Sequence, residues 1–259
     1  MPALLLDVAV RAVLIAAGTA VILWALRIRP AAARHAAWTT VLVAMLLLPL
    51  WSLVGPRVSI PVLPAIAATT APQATSNPNL AGPPMGATWG ATADLASVST
   101  SRTPGVMALL AGVYVLGAVA LLIRLGVGTL QARRLRRAAV VHAGRVTSAR
   151  CSTPITVGCF SPVLILPEGW DRWSAAQLDA VLTHEGSHAN RRDPLVQWLA
   201  LFNRAIFWFH PLAWWLERRL ATLAEEACDA AVIRAGHSPQ DYCDYLIDMA
   251  RTLRRQGGR

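Results

Sequence analysis

The chain has 259 residues, is 55% hydrophobic and only 15% charged, and carries a net charge of +10 in which every basic residue is arginine. That is too apolar and too poor in charge for an ordinary soluble domain, so membrane-spanning helices are the first expectation. The excess of arginine suits either nucleic acid or the cytoplasmic flanks of membrane spans. The arginines cluster beside apolar runs, so the second reading is taken, with the lipid bilayer as partner and no direct nucleic-acid binding expected.

Residues 1–54 read as two transmembrane helices joined by a short cytoplasmic loop. The apolar runs are Val8–Leu26 and Ala36–Val54, each close to the ~20 residues that cross a hydrocarbon core. A cleaved signal peptide fits the first run poorly, because its positive charges follow the apolar stretch instead of preceding it. Residues 55–104 hold only Arg57, Asp94 and Arg102 and are rich in Pro, Ala, Thr, Ser and Gly. They read as a flexible extracytoplasmic loop, too poor in apolar surface to offset the entropy of ordering. Residues 105–137 read as the third transmembrane helix with an arginine-rich cytoplasmic extension. Arg27, Arg29 and Arg34 in the first loop, and Arg133, Arg134, Arg136 and Arg137 after the third run, fix the expected orientation. The N-terminus is outside and everything after Arg124 is inside, in a bacterial inner (cytoplasmic) membrane.

Residues 138–259 read as a metallopeptidase domain. Short β-type runs come first, at Val140–Thr147, Ile155–Val157 and Pro162–Leu166. Ser174 and Gln177 then form a capping box, which opens a helix running to about Arg192, with Asp193-Pro194 closing it. This helix carries LTHEGSHANRRD. His184 and His188 are one turn apart and project from one face, the spacing of the HExxH zinc motif. Two imidazoles supply two metal ligands. Glu185, displaced around the helix, is placed as general base toward a water that zinc acidifies.

A catalytic zinc needs a third protein ligand. In LATLAEEACDAAV, Glu225 and Asp229 lie one turn apart. Glu225 is the expected ligand, with Glu226 as fallback. Asp229 is expected to fix a histidine tautomer through the ring N–H that faces away from the metal. Cys228 reads as a small core residue, with thiolate ligation second. His210 reads as a helix-end residue, and His142 and His237 carry no signal.

Between the two halves of the site lies the apolar run 195–216. A full crossing would put His184 and Glu225 on opposite sides, so the run is expected to return as a helical hairpin broken at His210-Pro211. Asn203 and Arg204 within it argue against plain lipid exposure, and Trp198, Trp208, Trp214 and Trp215 suit an interfacial belt. The segment Ile155–Pro167 is a candidate strand edge for an extended substrate. A buried strand is the competing reading for Val163–Leu166.

In that order and at those separations, PITVGCFSPVLILP, LTHEGSHANRRDPL, FWFHPLAWW and EEACDAAV resemble the M56 peptidase family, the membrane zinc metallopeptidases of the BlaR1/MecR1 antibiotic-sensor type. The resemblance spans the whole chain. It implies a mainly α integral membrane protein: three transmembrane helices, plus a cytoplasmic gluzincin-like α+β zinc protease domain with an apolar helical hairpin. It also implies Zn2+ on His184, His188 and Glu225, with Glu185 as base. The implied protein substrate is cytoplasmic, of the kind of a BlaI/MecI-type winged-helix repressor, and a homodimer is left open. No SxxK-type acylation motif follows, so β-lactam sensing is not expected of this chain alone. The alternatives are a catalytically silent membrane signal transducer and an M48-like membrane quality-control protease.

Overall fold

The computed structural model describes residues 2–54 and 104–257. The loop expected over 55–104 lies outside the described residues, except for Pro104, which opens a helix. Three helices are long and apolar enough to cross a membrane: α1 (Pro2–Ala25), α2 (Ala31–Val54) and α3 (Pro104–Ala138). A four-stranded sheet follows, formed by β1 (Val140–His142), β2 (Arg145–Ser148), β3 (Ile155–Val157) and β4 (Val163–Pro167). Four helices complete the chain: α4 (Ala175–Arg191), α5 (Asp193–Ile206), α6 (Pro211–Arg234) and α7 (Pro239–Gly257).

The first two helices pack side by side through residues spaced four apart. Val8, Ala12 and Ala16 of α1 meet Trp38, Val41, Leu42 and Met45 of α2. This core continues without a break into Ala200 and Phe207, and into Ala213, Leu216, Leu220 and Leu223 of α6. The first two spans and the α5–α6 hairpin therefore share one interior. The turn after α1 closes with two hydrogen bonds, Ile28 N–H to Leu23 O at 3.0 Å and Arg27 N–H to Trp24 O at 3.0 Å. Arg27 there has φ of 49°, the left-handed conformation that normally selects glycine at this position of a helix stop.

The third span has little of its surface covered, as expected of a helix that faces lipid, but one stripe docks on α5. Tyr114 Oη donates to Ile206 O (3.1 Å), Trp208 Nε1 to Tyr114 O (3.2 Å) and Trp198 Nε1 to Thr129 Oγ1 (3.3 Å). Gly117 makes the approach feasible, because a Cβ there would sit 2.6 Å from the Trp208 ring. Gly117→Val should undock the helix and cost about 1–3 kcal/mol, the usual penalty of overpacking. Thermal unfolding in detergent measures this, and a melting temperature equal to wild type would contradict the packing.

The sheet order is β1-β2-β4-β3, with β2 and β4 parallel and the other pairs antiparallel. Ala143 and Gly144, both with positive φ, form the tight turn between β1 and β2. Ile165 and Leu166 of β4 are fully buried, as the competing reading of Val163–Leu166 held, while β3 is left at an edge beside α4.

The α4 helix ends at Arg191, where the sequence places its end, but the cause differs. Arg192 adopts φ 57° and reverses the chain within a single residue, so Asp193 is already the first residue of α5. One boundary differs from the sequence reading. The return segment and the acidic helix are one element. No glycine or proline lies between Leu216 and Glu225, and α6 runs unbroken over 24 residues. The hairpin itself breaks where His210 caps α6, its Nδ1 accepting from Leu212 N–H at 3.1 Å ahead of Pro211. Inside the hairpin Asn203 is fully buried. Arg204 reaches Glu217 at 3.2 Å and lies over the Trp214 ring at 4.7 Å.

Candidate metal centre

Ser174 is the N-cap as read: its Oγ accepts from Gln177 N–H at 3.1 Å. One turn separates His184 from His188, and the rings stand edge to face with centroids 5.0 Å apart. Their Nε2 atoms converge on one carboxylate from α6. His184 Nε2 lies 3.5 Å from Glu225 Oε2, and His188 Nε2 lies 3.5 Å from Glu225 Oε1. Two donors, each about 2.0–2.1 Å from one tetrahedral zinc, are about 3.4 Å apart, so this spacing suits a shared ion.

Both rings are held from behind, at Nδ1. His188 Nδ1–H donates to Asp193 Oδ2 at 2.8 Å, a contact that exists only because Arg192 folds the chain back. Arg191 grips the same carboxylate and also donates to Ala224 O (2.9 Å) and Cys228 Sγ (3.2 Å), tying α4 to α6. On the other ring, His184 Nδ1 faces Asp229 Oδ1 at 3.2 Å and the Tyr242 hydroxyl at 2.9 Å, while Tyr242 donates to Asp229 at 2.8 Å. A carboxylate stands behind each ring at Nδ1 and leaves Nε2 facing Glu225, an arrangement common behind metal-bound imidazoles.

His184, His188 and Cys228 also offer donor atoms within 4.8 Å of one another. Of the two possible third donors, Glu225 fits better. Its two oxygens bridge both Nε2 atoms, whereas Cys228 is buried and its sulfur already accepts from Arg191. Glu226 instead lies 3.8 Å from Arg219, away from the histidines.

Glu185 takes no part in this convergence. Its Oε2 accepts from the Thr156 hydroxyl of β3 at 2.7 Å. The carboxylate thus sits between the histidine helix and the β3 edge of the sheet. Finally His35, at the start of the second span, places Nε2 3.8 Å from Asp193 Oδ1, and both side chains are buried. A spanning helix therefore contacts the group that holds His188.

Electrostatics follow from these contacts. Burial opposes a charged His188, but Asp193, Cys228 and Glu225 outweigh it and push its pKa up to about 10. Burial likewise opposes ionised Asp193, yet His188 and Arg191 hold it below the usual carboxylate range. The hydrogen bond to His184 holds Glu225 low. Burial, then Asp229, raises the Tyr242 phenol, which stays a donor.

Sequence reasoning singled out His184, Glu185, His188, Glu225 and Asp229; the fold brings His184, His188, Glu225 and Asp229 into contact and turns the Glu185 side chain to Thr156 instead. It did not find Asp193, Thr156, Tyr242, Arg191 or His35. Asp193 alone left a trace, five residues beyond His188, and the proline after it drew the reading toward a helix stop.

These features define a class: a helical membrane protein with a histidine–carboxylate cluster whose donor atoms lie at metal-binding spacing. Comparison with known families makes the assignment specific. The chain belongs to the M56 peptidases, since the profile described as BlaR1 peptidase M56 matches residues 5–257. It is also similar to "Regulatory protein BlaR1" of Bacillus licheniformis, with 37% identity over 82 residues, which is 32% of this chain and 14% of the length of that relative.

Proposed function

We propose that the chain is an integral membrane zinc-dependent endopeptidase that cleaves a cytoplasmic protein in signal transduction, a transcriptional repressor being the expected target. One observation carries this reading: the Nε2 atoms of His184 and His188 converge on Glu225 while a carboxylate secures each ring from behind. His184, His188 and Glu225 would hold the zinc. When bound, it supplies a Lewis acid that polarises the scissile carbonyl and makes water more acidic.

The chain's own residues do the rest. Asp193, and Asp229 with Tyr242, keep the imidazole lone pairs aimed at the ion. The edge of β3 offers backbone groups to an extended substrate. Glu185, fixed by Thr156, takes the proton of the attacking water and delivers it to the leaving amine. His35 on Asp193 gives a change in the spanning helices a direct mechanical route to His188. The orientation that accompanies this reading places the N-terminus outside and the site on the cytoplasmic side, following the arginines.

Formation of fragments of the protein substrate should stop when a strong zinc chelator is added and resume with added zinc. Cleavage by the purified chain that is indifferent to the chelator would refute a zinc peptidase.

A pH dependence follows as well. His188 has its pKa raised to about 10, so its pairing with Asp193 stabilises fully below about pH 6.5 and fades as pH rises through about 10. A metal requires the neutral ring. Uptake at pH 7 should therefore release about one proton per ion, with affinity rising about tenfold per pH unit. Calorimetric titration in buffers of different ionisation enthalpy counts that proton, and a count of zero would contradict a protonated His188 at that pH.

A further inference from the structure

A cleft of about 920 Å³ opens where α1 ends and α2 begins, against the flank of α6. Arg27, Arg29, Arg34 and Arg219 line it, and no acidic residue does. Arg219 stands 3.8 Å from Glu226; among the described residues, no carboxylate lies within ion-pairing distance of the other three. Its apolar wall includes Trp38 and Trp215, stacked edge to face with centroids 4.6 Å apart. A further tryptophan, Trp24, is 81% exposed at the end of the first apolar span. The backbone is committed as well. Arg27 occupies a left-handed position that glycine would adopt without strain, so an arginine side chain is held at the mouth of the cleft against local preference.

We propose that this cleft binds the phosphate headgroup of an anionic phospholipid. Unpaired guanidinium groups present paired N–H donors suited to phosphate, and a patch of uncompensated cations at a span end attracts anionic lipid. Tryptophan is the residue that settles at headgroup depth, with its ring toward the acyl chains and its N–H toward water. The volume falls within the range of small-molecule pockets. A free phosphate would share the guanidinium contacts but would gain nothing from the apolar wall. The cleft lies at the same end of the bundle as the metal centre, since His35, one residue from Arg34, contacts Asp193. The claim requires a membrane-embedded chain and does not depend on proteolysis.

The test uses the full chain in nanodiscs of phosphatidylcholine with and without phosphatidylglycerol, followed by native mass spectrometry of the retained lipid. The variant Arg27→Gly/Arg29→Gln/Arg34→Gln removes three cleft cations. The control Arg124→Gln/Arg134→Gln/Arg137→Gln removes the same charge from α3. Wild type and control should retain phosphatidylglycerol over phosphatidylcholine, and the cleft variant should lose at least about tenfold of that preference. The single variant Arg27→Gly relaxes the turn, so it folds, and should show a smaller loss in the same direction. The proposal fails if the cleft variants keep the wild-type preference. It also fails if both triple variants lose it equally, which marks general charge attraction. It fails too if soluble glycerol 3-phosphate displaces the lipid at equal concentration, which marks a site for free anions.

Discussion

Replacing Glu185 with glutamine should lower substrate cleavage by about 10²–10⁴-fold, the usual contribution of a positioned general base, while the metal content stays at the wild-type level. The separation of the two effects follows from geometry. Glu185 points to Thr156 on the sheet edge, 2.7 Å from its hydroxyl, whereas the converging atoms come from His184, His188 and Glu225. Glutamine keeps the size and can still bond to Thr156, but cannot accept a proton. Cleavage followed by mass spectrometry of the fragments, together with metal analysis of the same preparation, reads both quantities. A variant that signals as wild type would instead favour a silent transducer that keeps the fold and works by binding a partner. A variant that loses its metal would show that Glu185 belongs to the donor set.

Glu225→Ala should remove the metal and the activity together, and Cys228→Ala should spare both. Three protein donors become two in the first variant, and a catalytic zinc depends on three. In the second variant the loss is a sulfur that accepts from Arg191 inside the α4–α6 contact. Its cost is in stability, about 1 kcal/mol or a little more for a buried hydrogen bond and a small cavity. Metal analysis after dialysis distinguishes the two donors. If Cys228→Ala is the variant that loses the metal, the centre is a histidine–thiolate site, and the assignment of Glu225 falls.

The parts of the molecule that were legible from the sequence are those with a local signature. The histidine helix announced itself through Ser174, Gln177 and the four-residue histidine spacing. The hairpin followed from His210-Pro211 and from the need to return to one side. What stayed hidden depended on contacts between distant segments. Tyr242 reaches His184 from 58 positions away, and Thr156 reaches Glu185 from 29 away, and neither contact leaves a periodic trace. Asp193 was visible but misread. A residue before proline usually ends a helix, yet here Arg192 absorbs the reversal and Asp193 begins the next element with its carboxylate under His188. The continuity of α6 was missed because two motifs, one apolar and one acidic, drew separate readings along one uninterrupted helix. Through that continuity the helix that bears Glu225 begins in the core shared with the spans.

X-ray absorption spectroscopy of the zinc-loaded full chain tests the central claim most directly. The account predicts a shell of nitrogen and oxygen only, at about 2.0–2.1 Å, with the multiple-scattering signature of two imidazoles. A sulfur scatterer at about 2.3 Å, or fewer than two imidazoles, would contradict it.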